Sequence, residues 1–219
     1  MKRKISFIVE VLIVLLVAVG SIFMFSGGAD ETGLITSGIY NLKYFTVLSN
    51  EFCGIVMLID IIKKLTGKGG VPQFYKFMAV TAVGLTFAVI AFFLQPMYPA
   101  KNLYQGGNLF FHLIVPVIAM CEFVFFSDEE SDKESDKEIT FKSTFIAVIP
   151  SVVYGFGYIL NILINGFGGW PNYNDWYGFL KWGYPVGVGI FVGVILINWI
   201  MALIIRGLYL LVRKKSIKE

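Results

Sequence analysis

Six long apolar segments are the feature that most constrains the fold of this chain. A helix needs about 20 apolar residues to cross a bilayer, whereas β-barrel strands are about half as long and alternate in polarity. The composition, 57% hydrophobic and 15% charged with a mean hydropathy of +0.74, excludes an ordinary soluble domain. The sequence therefore predicts an all-α, polytopic integral membrane protein, a six-helix bundle forming a single transmembrane domain over residues 1–219. The predicted helices are Ile5–Phe25, Tyr44–Ile62, Phe74–Gln95, Asn108–Phe126, Phe141–Asn165 and Tyr184–Val212.

The first apolar segment follows Lys2-Arg3-Lys4, as the apolar region of a signal peptide would. However, the segment is long, Glu10 interrupts it, and no cleavage site of the Ala-x-Ala type follows. We therefore expect the segment to be retained as the first helix.

The basic residues predict the orientation of the bundle. If the N-terminus is cytoplasmic, 15 of the 18 lysine and arginine residues lie on the side of the termini. The other side then has only Lys43, Lys101 and Lys181. Cytoplasmic loops are enriched in basic residues, so this split predicts that both termini are in the cytoplasm.

The segment between the fourth and fifth helices, residues 127–140, is predicted to be an acidic cytoplasmic loop. Ser127–Glu138 is a near-repeat of Ser-Asp-x-Glu without any apolar residue, which favours a solvated linker. A regulatory or metal-binding role is the alternative.

His112, the only histidine, lies inside the fourth predicted helix near its outer end. An ionisable side chain in hydrocarbon is costly and suggests function, and imidazole is well suited to proton transfer near neutral pH. Thr46 lies at a comparable depth on the second helix, which runs in the same direction. A threonine hydroxyl becomes a nucleophile when a base takes its proton, so His112 and Thr46 are the candidate catalytic pair. Two ordinary roles remain open: a backbone hydrogen bond within the helix for Thr46 and an interhelical hydrogen bond for His112.

The residues around this pair resemble a known family. Tyr44-Phe45-Thr46 at the start of the second helix, and His112 followed by Pro116 and Glu122, resemble the androgen-induced protein family of small multi-helix membrane proteins. Gly157-Tyr158-Ile159-Leu160 and the loop rich in Trp, Pro and Tyr after it are similar to the family's C-terminal half. The resemblance implies a threonine hydrolase of fatty acid esters of hydroxy fatty acids, with Thr46 and His112 as its catalytic residues.

The stretch Thr46-Val47-Leu48-Ser49-Asn50 is more similar to bacterial relatives of that family, which implies a bacterial cytoplasmic membrane. The leading hypothesis is thus an intramembrane hydrolase of lipid esters that needs no cofactor. Its expected partner is a membrane lipid or lipid ester and not a nucleic acid. One histidine and two cysteines in apolar surroundings do not predict a metal site.

Several polar residues near the pair are candidates for binding substrate or stabilising an oxyanion. Asn50 and Asn108 are the amide candidates, and a lysine at an outer helix end (Lys43, Lys101 or Lys181) could hold a lipid carboxylate or phosphate. Glu51 lies about 140° around the second helix from Thr46 and could face a neighbouring helix. Met57 and Val115 are predicted to line an apolar tunnel for the acyl chain.

Two other functions remain open. Intramembrane carboxylates such as Glu51, Asp60 and Glu122 are typical of ion or proton pathways, so a small transporter or channel is one alternative. For Asp60 and Glu122, pairing with Lys63, Lys64 or Arg206 is the structural interpretation. A non-enzymatic lipid-binding or assembly protein is the other alternative.

The predicted orientation can be tested by cysteine labelling in whole cells. In a variant lacking Cys53 and Cys121, single cysteines at positions 30, 100 and 175 should react with a membrane-impermeant maleimide. A cysteine placed in Ser127–Glu138 should react only after the cells are opened, because the basic residues hold that side in the cytoplasm. Labelling of the acidic tract in intact cells would reverse the orientation.

Overall fold

The computed structural model describes residues 2–26, 38–127, 139–169 and 172–216. Within these residues it has six helices that are long and apolar enough to cross a membrane, which confirms the predicted number. Their ends differ from the predicted ends by only a few residues. The helices are α1 (Lys2–Ser26), α2 (Phe45–Leu65), α3 (Gln73–Met97), α4 (Gly107–Phe126), α5 (Phe141–Asn165) and α6 (Tyr184–Ser216).

The helices define two ends of the bundle. At the terminal end, α1 begins, α6 ends, and residues 66–72 connect α2 to α3. The loop end contains a 3-10 helix, Gly38–Lys43, and residues 98–106 and 166–183. Gly168–Gly169 and Asn172–Tyr173 form a two-residue antiparallel pair there. Most of the acidic tract, residues 128–138, lies outside the described residues.

Proline explains the local shape of α3 and α4. A proline has no N–H and clashes with the carbonyl four residues earlier, so a helix must widen or break there. Each helix widens into a π-helical turn just before its proline: Ile90–Leu94 before Pro96, and Phe110–Ile114 before Pro116. His112 therefore lies in a widened turn, where the backbone departs from regular α-helix.

The core of the bundle surrounds α3. In the most apolar 18-residue stretch of α3, 61% is buried inside the bundle. The corresponding share for α6 is 17%. A continuous apolar cluster joins side chains of α1, α2, α3, α4 and α6, with Met57, Phe77 and Phe111 fully buried in it. Leucines, isoleucines and phenylalanines on the outer faces are exposed, as expected for surfaces that contact lipid.

A glycine lets α1 approach α4 at the depth of His112. A Cβ atom added at Gly20 would lie 2.5 Å from a ring carbon of Phe111 and 3.0 Å from Cβ of Phe110. Phe111 is fully buried, so its ring has little room to retreat. Small residues permit this kind of close helix packing in membranes.

Gly20→Ala should therefore lower the stability of the bundle by about 1 to 3 kcal/mol through overpacking. Thermal unfolding of the purified protein in detergent measures the change. Gly157→Ala is the matched control, because a Cβ atom at Gly157 meets nothing within 4 Å. Equal melting temperatures for the two variants would contradict the close contact.

Candidate functional site

His112 is held by a backbone carbonyl of the loop that precedes its own helix. The ring is buried, and its Nδ1 atom lies 2.6 Å from the carbonyl oxygen of Leu103. A carbonyl oxygen only accepts hydrogen bonds, so Nδ1 carries a hydrogen. In the neutral ring, Nε2 is then the basic nitrogen, which is the tautomer that a general base requires.

Gln95 fixes the loop that holds His112. Its Oε1 accepts from the N–H of Leu103 at 3.0 Å, and its Nε2 donates to the carbonyl of Lys101 at 2.8 Å. The side chain thus closes the loop from both sides and fixes the Leu103 peptide. The Leu103 carbonyl, held in this way, orients the His112 ring.

Asn50 joins the helix that carries Thr46 to the helix that carries His112. Its Nδ2 donates to the carbonyl of Thr46 at 2.8 Å and to the carbonyl of Phe111 at 3.0 Å. The turn that begins at Thr46 is therefore held against the residue that precedes His112. Both N–H groups of the amide are engaged, so this arrangement leaves Asn50 without a free donor for an oxyanion.

The Oδ1 atom of Asn50 is buried and has no hydrogen-bond partner within the described part of the chain. Rotating the amide by 180° would not help, since Oδ1 would then face two carbonyl oxygens. A buried acceptor without a donor costs about 1 to 3 kcal/mol. A hydrogen-bond donor at Oδ1 would therefore stabilise this part of the site.

Thr46 is half-buried in the first turn of α2. Both Thr46 and His112 belong to the described residues, and no hydrogen bond joins their side chains there. Ser49, one turn later, donates to the Thr46 carbonyl and contacts the hydroxyl of Thr86 on α3 at 3.1 Å. Thr46 thus lies where α2 meets both α3 and α4.

The N-terminus of α2 is capped by a distant tyrosine. The N–H of Phe45 donates to the Tyr177 hydroxyl at 2.8 Å, and the N–H groups of Val47 and Leu48 donate to the Tyr44 carbonyl. Burial raises the pKa of Tyr177 well above its ordinary value, so the hydroxyl stays neutral. Among the described residues, the N–H of Thr46 has no acceptor, as is common in the first turn of a helix.

The lysines predicted to hold a lipid headgroup each lie against aromatic rings. The Nζ atom of Lys43 is 5.3 Å from the Tyr44 ring centroid and 5.7 Å from that of Trp176. Lys101 and Lys181 lie similarly over rings at the loop end. Partial burial lowers the pKa of Lys43. Cation–π contacts of this kind hold the ammonium groups beside the rings at the loop end.

The other polar candidates are divided between the site and its surroundings. Asn108 is half-buried, about one turn before His112. Glu51 accepts a hydrogen bond from Ser21 on α1, as expected for a carboxylate that faces a neighbouring helix. Glu51 therefore belongs to the contact between α1 and α2.

The structure does not contain the predicted tunnel at Met57 and Val115. A side chain that lines an open tunnel keeps accessible surface, but Met57 and Val115 are both 0% exposed within the apolar core. The two faces of α2 and α4 pack directly against other helices. An acyl chain would have to lie elsewhere, and the half-buried Thr46 is closer to the surface than either residue.

The described residues contain no group of three or more His, Cys, Asp or Glu side chains placed to hold a metal ion. Comparison of the chain with protein-family models, curated proteins and solved structures finds no match.

Sequence reasoning did not find Gln95, Leu103 and Tyr177 as members of the site. Gln95 ends a predicted helix, where an amide ordinarily points into the interface. Leu103 acts through its backbone, which no residue type reveals. Tyr177 belongs to an aromatic-rich loop in which the sequence does not distinguish one ring from another.

Because His112 is the only histidine, its tautomer can be observed directly by ¹⁵N NMR of protein labelled with [¹⁵N]histidine. We expect a protonated Nδ1 and an unprotonated Nε2, since Leu103 accepts from Nδ1. Gln95→Ala should produce a mixture of tautomers by loosening the loop, whereas Gln73→Ala, at the other end of α3, should not. A spectrum with Nε2 protonated would contradict this arrangement.

Proposed function

We propose that this protein is an intramembrane hydrolase of lipid esters, such as fatty acid esters of hydroxy fatty acids, with Thr46 as nucleophile and His112 as base. The observation that carries the proposal is the Asn50 amide, which ties the turn of Thr46 to the residue before His112. The hydrogen bond from Nδ1 to Leu103 supports it by leaving Nε2 available. Nucleophilic catalysis needs a hydroxyl, a base and a group that orients the base.

The proposed reaction has two halves. In the first, Nε2 of His112 takes the proton of the Thr46 hydroxyl, and Oγ1 attacks the ester carbonyl carbon. The proton then passes to the leaving alkoxide as the ester bond breaks, which leaves an acyl group on Thr46. In the second, His112 takes a proton from water, the hydroxide attacks the acyl group, and the proton returns to Oγ1 as the fatty acid leaves.

The oxyanion formed in each half requires hydrogen-bond donors. With Asn50 engaged, the two candidates are the N–H of Thr46 and the side-chain amide of Asn108. The N–H of Thr46 lies at the N-terminus of α2, where the helix dipole also favours negative charge. The amide of Asn108 lies on the same helix as His112 and nearly one turn before it.

Hydrolysis of p-nitrophenyl esters by the purified protein in detergent tests the proposal. Thr46→Ala should lower turnover by at least about 10³-fold, and His112→Gln by about 10²- to 10⁴-fold. Thr46→Ser should keep part of the activity, because it retains a hydroxyl. A fluorophosphonate probe should label the wild type and not Thr46→Ala.

The matched control is Thr81→Ala, which removes a fully buried threonine from α3. This variant should retain labelling and turnover. If it lost both as Thr46→Ala does, the loss would reflect impaired folding rather than removal of the nucleophile. Unchanged hydrolysis in Thr46→Ala would remove the proposed nucleophile. Ion flux through protein reconstituted in liposomes, without any hydrolysis, would favour the transporter or channel instead.

A further inference from the structure

A cluster of ionisable side chains lies at the terminal end of the bundle, away from the candidate site. Glu10 on α1 lies between two ammonium groups, with Lys64 Nζ at 2.8 Å and Lys76 Nζ at 2.5 Å. Asp60 lies between the same two groups, at 2.6 Å from Lys64 and 2.8 Å from Lys76. The sequence predicted Lys64 among the possible partners of Asp60, but it named neither the buried Lys76 nor a partner for Glu10.

These four residues balance one another in charge. Two carboxylates face two ammonium groups, and Asp60 also accepts from the N–H of Val71 at 2.5 Å. The side chains of Glu10, Asp60 and Lys76 are almost entirely buried, and that of Lys64 is 14% exposed. A buried ion pair is tolerable when the charges compensate each other and the remaining atoms are hydrogen-bonded.

Glu122 on α4 is a third carboxyl group in the same cluster, and no ion pair among the described residues includes it. It is 0% exposed, and its Oε2 has no hydrogen-bond partner among the described residues. The predicted partner Arg206 instead donates to the carbonyl of Ile139. An ionised Glu122 would thus give the cluster a net negative charge inside the membrane, which is costly.

The hydrogens around Ser6 provide a second, independent observation. Ser6 Oγ lies 2.7 Å from Glu122 Oε1 and 3.1 Å from Glu10 Oε1. A hydroxyl has one hydrogen, so it cannot donate to two carboxylates at once. If Glu122 carries a proton, its O–H donates to Ser6 Oγ and the Ser6 hydroxyl donates to Glu10. Each of the two oxygen–oxygen contacts of Ser6 then has a hydrogen atom between its two oxygens.

We propose that Glu122 is a proton-binding site, occupied at neutral pH, that links α1 to α4 through Ser6. The groups that face it are Ser6 and Glu10 from α1, Cys53 and Lys64 from α2, and Lys76 from α3. Asp60 contacts the same two lysines, and Tyr209 from α6 stacks on the neighbouring Phe123. Glu10 contacts both ammonium groups directly, whereas no ion pair among the described residues includes Glu122, so the geometry favours Glu122 as the group that binds the proton. The proposal does not depend on the hydrolase chemistry.

Infrared spectroscopy of the purified protein tests the proposal, because a protonated carboxyl group has a C=O stretch that an ionised one lacks. At neutral pH the difference spectrum between wild type and Glu122→Gln should contain this band, and exchange into D₂O should shift it. Glu51→Gln is the matched control, because Glu51 also contacts a serine hydroxyl on α1. The Glu122 band should remain in that variant. Its absence from the wild type at neutral pH would overturn the proposal.

Thermal unfolding provides a readout that does not depend on assigning a band. If folded Glu122 holds a proton that the unfolded chain releases, stability is fully present at low pH and decreases as the pH rises. The wild type should therefore melt at lower temperature at about pH 9 than at about pH 6, and Glu122→Gln, which mimics the protonated form, should lose much of this dependence. A large loss of stability in Glu122→Gln at about pH 6 would instead indicate an ionised, paired Glu122, and would contradict the proposal.

Discussion

The ion pairs that Glu10 and Asp60 form with Lys64 and Lys76 set the positions of α1, α2 and α3 relative to one another. In a bilayer, apolar surfaces gain little from leaving lipid, so polar contacts and close packing determine how helices associate. A shift of α1 by one turn, about 5.4 Å, would leave Glu10 without its lysines in hydrocarbon. Such a shift is therefore excluded by electrostatics rather than by apolar packing.

This constraint extends to the candidate site through α2. Asn50 and Asp60 are ten residues apart, as are His112 and Glu122 on α4, which corresponds to about 15 Å along each helix. The bundle thus has two polar layers at matched depths on two helices. The layer at the terminal end is charged. Apart from the carboxyl group of Glu51, which contacts Ser21 on α1, the layer near the loop end contains neutral amides, hydroxyls and one imidazole. Because both layers lie on α2 and α4, fixing the position of one layer along these helices also fixes the position of the other.

The number of helices followed from the sequence because each apolar segment is a local property. The contacts between residues within each layer could not be predicted from the sequence, because they depend on which helices are neighbours. Lys76 illustrates the difference: it lies just after a loop in the sequence, yet folding buries it between Glu10 and Asp60. The sequence identified Asn50 as a polar residue close to Thr46 and as a candidate oxyanion donor. In the structure its amide connects two helices, because its two carbonyl acceptors lie on separate helices. Met57 and Val115 shared faces with polar residues, and the packing of neighbouring helices closed the space predicted beside them.

The two layers differ in what they leave unsatisfied. In the charged layer, protonation of Glu122 completes the hydrogen bonds around Ser6, while Glu122 Oε2 still has no partner among the described residues. In the neutral layer, neither Asn50 Oδ1 nor the Thr46 N–H has a hydrogen-bond partner among the described residues. One is an acceptor and the other a donor, so together they match a ligand that offers a hydroxyl and an oxygen with negative charge. In the proposed reaction, the attacking water can donate to Oδ1 while the oxyanion accepts from the N–H. The two unsatisfied atoms thus lie in the first turns of α2, where the proposed reaction needs an acceptor for the water and a donor for the oxyanion.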